Sequence, residues 1–272
     1  RMTMLRSSLL GFLALLAGIS TPDTAQAQAF STYCGPASPP SHTLMLIDQT
    51  ENFDTIDMTR FAEGFNRIFQ ELIPGNQLDI YLIAGQPGAL TRAFSSCIPG
   101  CPDEIESGNS NWQHICSNVL IQRDKRLFVA AFTKFMNDLN AASAVSDATH
   151  LINTLENLAY QYSDSSISDF YIFSDMLEYS PLNYKINAFD FTARQALERK
   201  ARGVIPENHF LANATVTAFG FGKRLGQQSL IEEKGYAAAL LPSGTATQFR
   251  AFWTDFFKTT MPTKAFRLSL EY

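Results

Sequence analysis

The chain is poor in cysteine, with only Cys34, Cys97, Cys101 and Cys116 in 272 residues. No cysteine follows Cys116, so a hydrolase mechanism whose thiol nucleophile arrives late in the chain has nothing to use. None sits just after the N-terminal apolar run, which argues against a lipid anchor. The four histidines (His42, His114, His150, His209) share no metal-ligand spacing, and no Gly-x-Ser-x-Gly elbow is present. The net charge of -5 and the lack of a basic stripe argue against a nucleic-acid or anionic-membrane partner. No apolar run reaches the roughly 20 residues of a membrane span. There is no internal repeat and no low-complexity segment.

What the chain does have begins with a secretory pattern. Arg6 supplies positive charge, Leu9 to Ile19 form a short apolar core, and Ala25-Gln26-Ala27 or Ala27-Gln28-Ala29 offers a small-x-small cleavage site. The expected division is residues 1–29 as signal peptide, 30–42 as a Pro- and Ser-rich lead-in, and 43–272 as one domain, exported to a periplasm or secreted. Hydrophobic residues make up 46% with 22 Phe, so a packed globule is expected. An even cysteine count in an exported chain predicts two disulfides, with three connectivities open. The rival, a zinc site, has only the Cys97-x-x-x-Cys101 spacing and no paired histidines.

Periodicity gives the elements. Thr43 to Asp48, Leu78 to Ile83, Phe170 to Asp175, Ala214 to Gly220 and Phe266 to Leu270 read as strands, with Ala89 to Ser95 returning as an antiparallel edge after the Gly85–Gly88 turn. Apolar spacing of 3–4 residues predicts helices after Thr55, over 120–140, 150–162, 189–202 and 247–258. Thr55 or Asp57 is the expected cap of the first helix, and Pro74-Gly75-Asn76 its stop. Ser96 to Ser117 reads as a disulfide-stapled loop, and 227–244 is ambiguous. Gly220-Phe221-Gly222-Lys223-Arg224 lacks the spacing of a phosphate loop and reads as a plain strand-to-loop turn. Alternating strands and helices predict an α/β domain with ligands beyond the carboxyl ends of the strands.

Two buried strands end on carboxylates, Asp48 and Asp175. The run Asp48-x-Thr50-x-Asn52, then Thr149 in Ser146-Asp147-Ala148-Thr149-His150, then Phe173-Ser174-Asp175 carries oxygen groups in three loops. This pattern resembles a von Willebrand factor A-like domain with a divergent metal-ion-dependent adhesion site. The resemblance implies a three-layer Rossmann-like fold, with a mostly parallel central sheet, one antiparallel edge strand and helices on both faces. It implies Asp48, Thr50, Asn52, Thr149 and Asp175 as ligands of Mg²⁺ (or Mn²⁺ or Ca²⁺), a hard cation that takes oxygen donors. It also implies a protein partner bound at the top of the sheet, with Tyr179 and Tyr184 as contact aromatics. Asn52 stands where the family has Ser, and the Gly residues usual before the Thr are missing.

Two other readings are kept. Leu44 to Phe53 resembles the opening of isochorismatase-type hydrolases, and Asp48 could serve a phosphatase-like enzyme, although Thr50 stands where a second Asp is wanted. Alternatively the chain is a structural subunit whose strand-end carboxylates only bind loop amides.

Overall fold

The computed structural model describes residues 30–34, 41–83, 90–101, 116–141, 150–162, 167–177, 203 and 209–269. Its elements in chain order are β1 (His42–Asp48), α1 (Thr55–Glu71), β2 (Gln77–Ile83), β3 (Leu90–Cys97), α2 (Asn118–Ala141), α3 (Leu151–Gln161), β4 (Ile167–Phe173), β5 (Thr215–Phe219), α4 (Gln228–Lys234), α5 (Ser243–Asp255) and β6 (Ala265–Ser269). The helix predicted over 189–202 lies outside the described residues.

The strands form one sheet in the order β3-β2-β1-β4-β5-β6. Every pairing is parallel except β2 with β3, which is antiparallel at the edge. β1 is buried along its whole length and feeds two cores, because successive side chains of a strand point to opposite faces. Leu44 and Leu46 join the core under α3 and α5, with Leu155, Leu158, Phe252 and Trp253. Met45 and Ile47 join the core under α1 and α2, with Phe61, Phe65, Phe128 and Phe132. The fold is therefore a three-layer α/β domain. The Phe249 to Phe257 segment is core, with Phe249, Phe252, Trp253, Phe256 and Phe257 all buried.

α1 starts at Asp54, not at Thr55 or Asp57 as its cap. Asp54 Oδ1 accepts from the amides of Ile56 and Asp57, both at 2.9 Å, and Asp57 Oδ2 accepts from the Asp54 amide at 3.1 Å. That reciprocal pair is a capping box, in which two carboxylates satisfy otherwise orphaned donors. The expectation missed it because a polar run such as Asn52-Phe53-Asp54-Thr55 offers several caps and only tertiary context chooses.

The cysteines pair Cys34–Cys97 and Cys101–Cys116. The first ties the lead-in to the end of β3 across 63 residues. Closing a loop of that size is worth about 4 kcal/mol in a chain-entropy account. Among the described residues no helix is long and apolar enough to cross a membrane.

Candidate functional site

β1 pairs with β2 on one side and β4 on the other, so the chain direction away from the sheet centre reverses between β1 and β4. Such a switch point leaves a crevice outside the carboxyl ends of the two strands. Asp48 ends β1, and Ser174 and Asp175 follow β4 directly.

Asp48 is fully buried. Its Oδ1 accepts from the Thr50 amide at 3.1 Å and the Thr50 hydroxyl at 2.6 Å. Its Oδ2 accepts from the Ser174 hydroxyl at 2.7 Å, which joins the two strand ends. Ser174 Oγ in turn accepts from the Met176 amide at 2.9 Å. Met176 has a φ of 61°, a left-handed conformation costly for a non-glycine residue. Trp253 holds it there by donating Nε1–H to the Met176 carbonyl at 2.8 Å.

Asp175 accepts one backbone amide on each oxygen, Leu177 at 3.0 Å and Leu225 at 3.1 Å. These bonds do not offset its surroundings. Burial, and then the charge of Asp48, push the Asp175 carboxyl up to about 8.

The loop after β5 closes over the same edge. Three successive amides reach three different carboxylates: Leu225 to Asp175, Gly226 to Asp57 at 3.0 Å, and Gln227 to Asp54 at 3.1 Å. Lys223 is 2% exposed, and its Nζ lies 2.6 Å from both Asp54 Oδ2 and Asp57 Oδ1. Burial raises the Asp54 carboxyl, but the Lys223 bond and charge together with the Asp57 hydrogen bonds outweigh it and hold it low. Asp57 is net raised, because burial and the Asp54 charge outweigh Lys223. Gly226 has a φ of 65°, and a Cβ there would lie 2.6 Å from the Asn52 carbonyl oxygen. Only glycine lets this loop lie so close to the segment after β1.

Of the expected ligands, Asp48 and Thr50 meet in one hydrogen-bonded turn, and Asp175 is close enough to feel the Asp48 charge. Asn52 is exposed and lines a recess beside this turn. Thr149 lies outside the described residues, as do Tyr179 and Tyr184. The preceding helix does deliver its chain to the right edge: Gln49 Nε2 donates to the Leu139 carbonyl near the end of α2, at 3.3 Å. His150, the next described residue, is buried, and burial lowers its pKa.

Sequence reasoning missed Ser174, Asp54, Asp57 and Lys223 as parts of this edge. Gly220 to Arg224 is a strand-to-loop turn as expected, but it also carries the buried cation. The available signal was a lysine inside an otherwise apolar, Gly-rich segment, Phe219-Gly220-Phe221-Gly222-Lys223.

The donor set is all oxygen: carboxylates, and hydroxyls that already donate to Asp48 and retain lone pairs. That set matches a hard divalent cation and not a thiolate- or imidazole-seeking one. Among the described residues, no three His, Cys, Asp or Glu side chains gather as a metal cluster.

No protein-family model matches the chain, and no curated protein matches it. Among solved structures, one that matches is a von Willebrand factor type A protein from Catenulispora acidiphila, at 11% identity and a TM-score of 0.31. The match covers 79% of this chain and 42% of that one, so the chain spans less than half that protein's length. The chain's own strand order and antiparallel edge pairing show a mostly parallel, three-layer α/β fold.

Proposed function

We propose that the chain is an exported binding protein that recognises a macromolecular partner through the top edge of its sheet, with a divalent cation in the contact. The observation that carries this reading is the pair of buried carboxylates, Asp48 and Asp175, at the switch point between β1 and β4. Two like charges taken out of water need a proton or a cation between them. Asp48, Thr50 and Asp175 would hold the ion, with Thr149 and Asn52 completing its shell. Mg²⁺, Mn²⁺ or Ca²⁺ would supply an electron-poor centre able to accept an oxygen from a protein partner. Residues 1–29 act as the export signal, and the two disulfides suit the oxidising compartment it leads to.

Calorimetric titration with Mg²⁺ or Mn²⁺ tests the metal. Saturable binding by the wild type, lost in Asp48→Ala, is the expected result. Absence of binding by the wild type would remove the metal from the reading. One observation favours that second, metal-free reading: every Asp48 and Asp175 oxygen already accepts a hydrogen bond. In that case the same edge serves as a rigid docking surface and Asp175 carries a proton.

A further inference from the structure

Beside the Asp48–Thr50 turn is a recess of about 220 Å³, lined by Gln49, Glu51, Asn52, Phe53 and residues 139–141. Pockets that enclose drug-sized ligands run roughly 300–1,000 Å³, so this volume suits a single side chain. Its one charged lining side chain is acidic. Glu51 brings a carboxylate, Asn52 and Asn140 bring amide oxygens, and no Lys or Arg lines the space. Residues 139–141 end α2, where the carbonyls of the last turn carry roughly half a negative charge. α2 places no basic residue in that turn to offset it. Asp138, in the same turn but outside the lining, is 65% exposed and pairs with Lys134. A helix built for stability alone would reverse that choice.

We propose that the recess receives a cationic side chain, a lysine ammonium or an arginine guanidinium, from a protein partner docked on the top edge. The inference rests on the top-edge reading for where the partner sits. It does not need the metal, because the negative field comes from Glu51 and the α2 terminus. The specificity is electrostatic: the rim attracts and orients one cation, while the amide oxygens of Asn52 and Asn140 accept its N–H groups.

The test is an NMR titration of the full ¹⁵N-labelled chain, in EDTA, with the blocked tripeptide Gly-Arg-Gly and matched norleucine and glutamate peptides. Saturable shifts at Glu51, Asn52 and Asn140 are expected from the arginine peptide alone. Glu51→Gln should weaken that binding about three- to fivefold, the worth of one partly exposed charge pair. Asn140→Lys, which places the chain's own ammonium at the recess, should abolish it. Both positions are exposed, and unchanged signals elsewhere confirm that the variants are folded. Equal shifts from the norleucine peptide, shifts from the glutamate peptide, or none from the arginine peptide would each overturn the proposal. Running Asp48→Ala in parallel separates the two readings. Arginine binding that survives without Mg²⁺ binding removes the metal and keeps the recess, and the converse keeps the metal and removes the recess.

Discussion

β1 carries a buried polar network at each end, and the two are built on opposite charge arithmetic. At its start, one carboxylate, Asp79, collects donors: His42 Nε2 at 2.9 Å, Gln77 Nε2 at 3.0 Å and the Tyr162 hydroxyl at 2.8 Å. Tyr81 extends the network, donating to Tyr162 at 2.7 Å and accepting from Gln161 at 2.6 Å. Burial raises Asp79, but hydrogen bonding led by His42 outweighs it and leaves its carboxyl low. At the end of β1, four carboxylates (Asp48, Asp54, Asp57, Asp175) meet one ammonium, Lys223, and a row of amides. Donors outnumber acids at both ends, but at the bottom one acid faces one imidazole, whereas at the top four acids face one ammonium. Three donors converging on one oxygen, Asp79 Oδ2, make a structural knot around one acid. A surplus of buried acid leaves an affinity for a proton or a cation, which is the ground for proposing the top edge as the binding edge.

The largest effect should come from taking away the ammonium that bonds Asp54 and Asp57. Lys223→Met leaves Asp54 and Asp57 buried and facing each other. Removing one partner of a buried ion pair costs about 3–5 kcal/mol, because the remaining charge is uncompensated. Urea unfolding at pH 7 should show that loss, and adding Asp57→Asn should recover part of it by deleting one stranded charge. A loss below about 1 kcal/mol would mean that Lys223 is dispensable and that the amides of residues 225–227 already balance the acids.

The contrast also explains what could be read before the fold was known. β1 followed from a continuous apolar run, the antiparallel β3 from the Gly85–Gly88 turn before it, and the long α2 from period-3.6 apolar spacing. Asp48 and Asp175 were legible because a carboxylate that ends an apolar run has a fixed place in a parallel sheet. Lys223 was not. Its role depends on a loop brought 166 residues in sequence back to Asp57, and nothing local to Gly220–Arg224 encodes that return. The Asp54 cap was hidden for a related reason, because it is selected by Gln227 and Lys223 as much as by its own helix. The Asp79 network was equally invisible, since His42, Asp79 and Tyr162 belong to three separate elements.

The next effect is a pH slope of opposite sense at the two edges. Asp175 titrates at about 8 in the folded chain against about 3.9 unfolded, so between those values the native state binds the extra proton. Stability from this group is present below pH 4 and is lost as pH rises towards 8, at up to ~1.4 kcal/mol per pH unit. Asp57, also raised, acts in the same direction. Asp79 is depressed, so its contribution is present above about pH 3.9 and fades only in stronger acid. Unfolding midpoints in EDTA from pH 5 to 8 should therefore fall with pH, and Asp48→Asn should flatten the profile by removing the neighbouring charge. A wild-type profile that is flat from the outset would put the two edges on equal footing.

The smallest effect tests whether the bottom knot is only structural. Tyr162→Phe deletes one hydroxyl that donates to Asp79 and accepts from Tyr81, leaving a gap in a buried chain of hydrogen bonds. The expected cost is about 1–2 kcal/mol, since a buried network loses one member and strands two partners. Mg²⁺ titration and the pH slope assigned to Asp175 should not move, because the Asp79 network lies at the opposite end of β1 from the Asp48 turn. If that slope did change, β1 would be transmitting charge state along its length. The separation into a structural edge and a proposed binding edge would then give way to one coupled system.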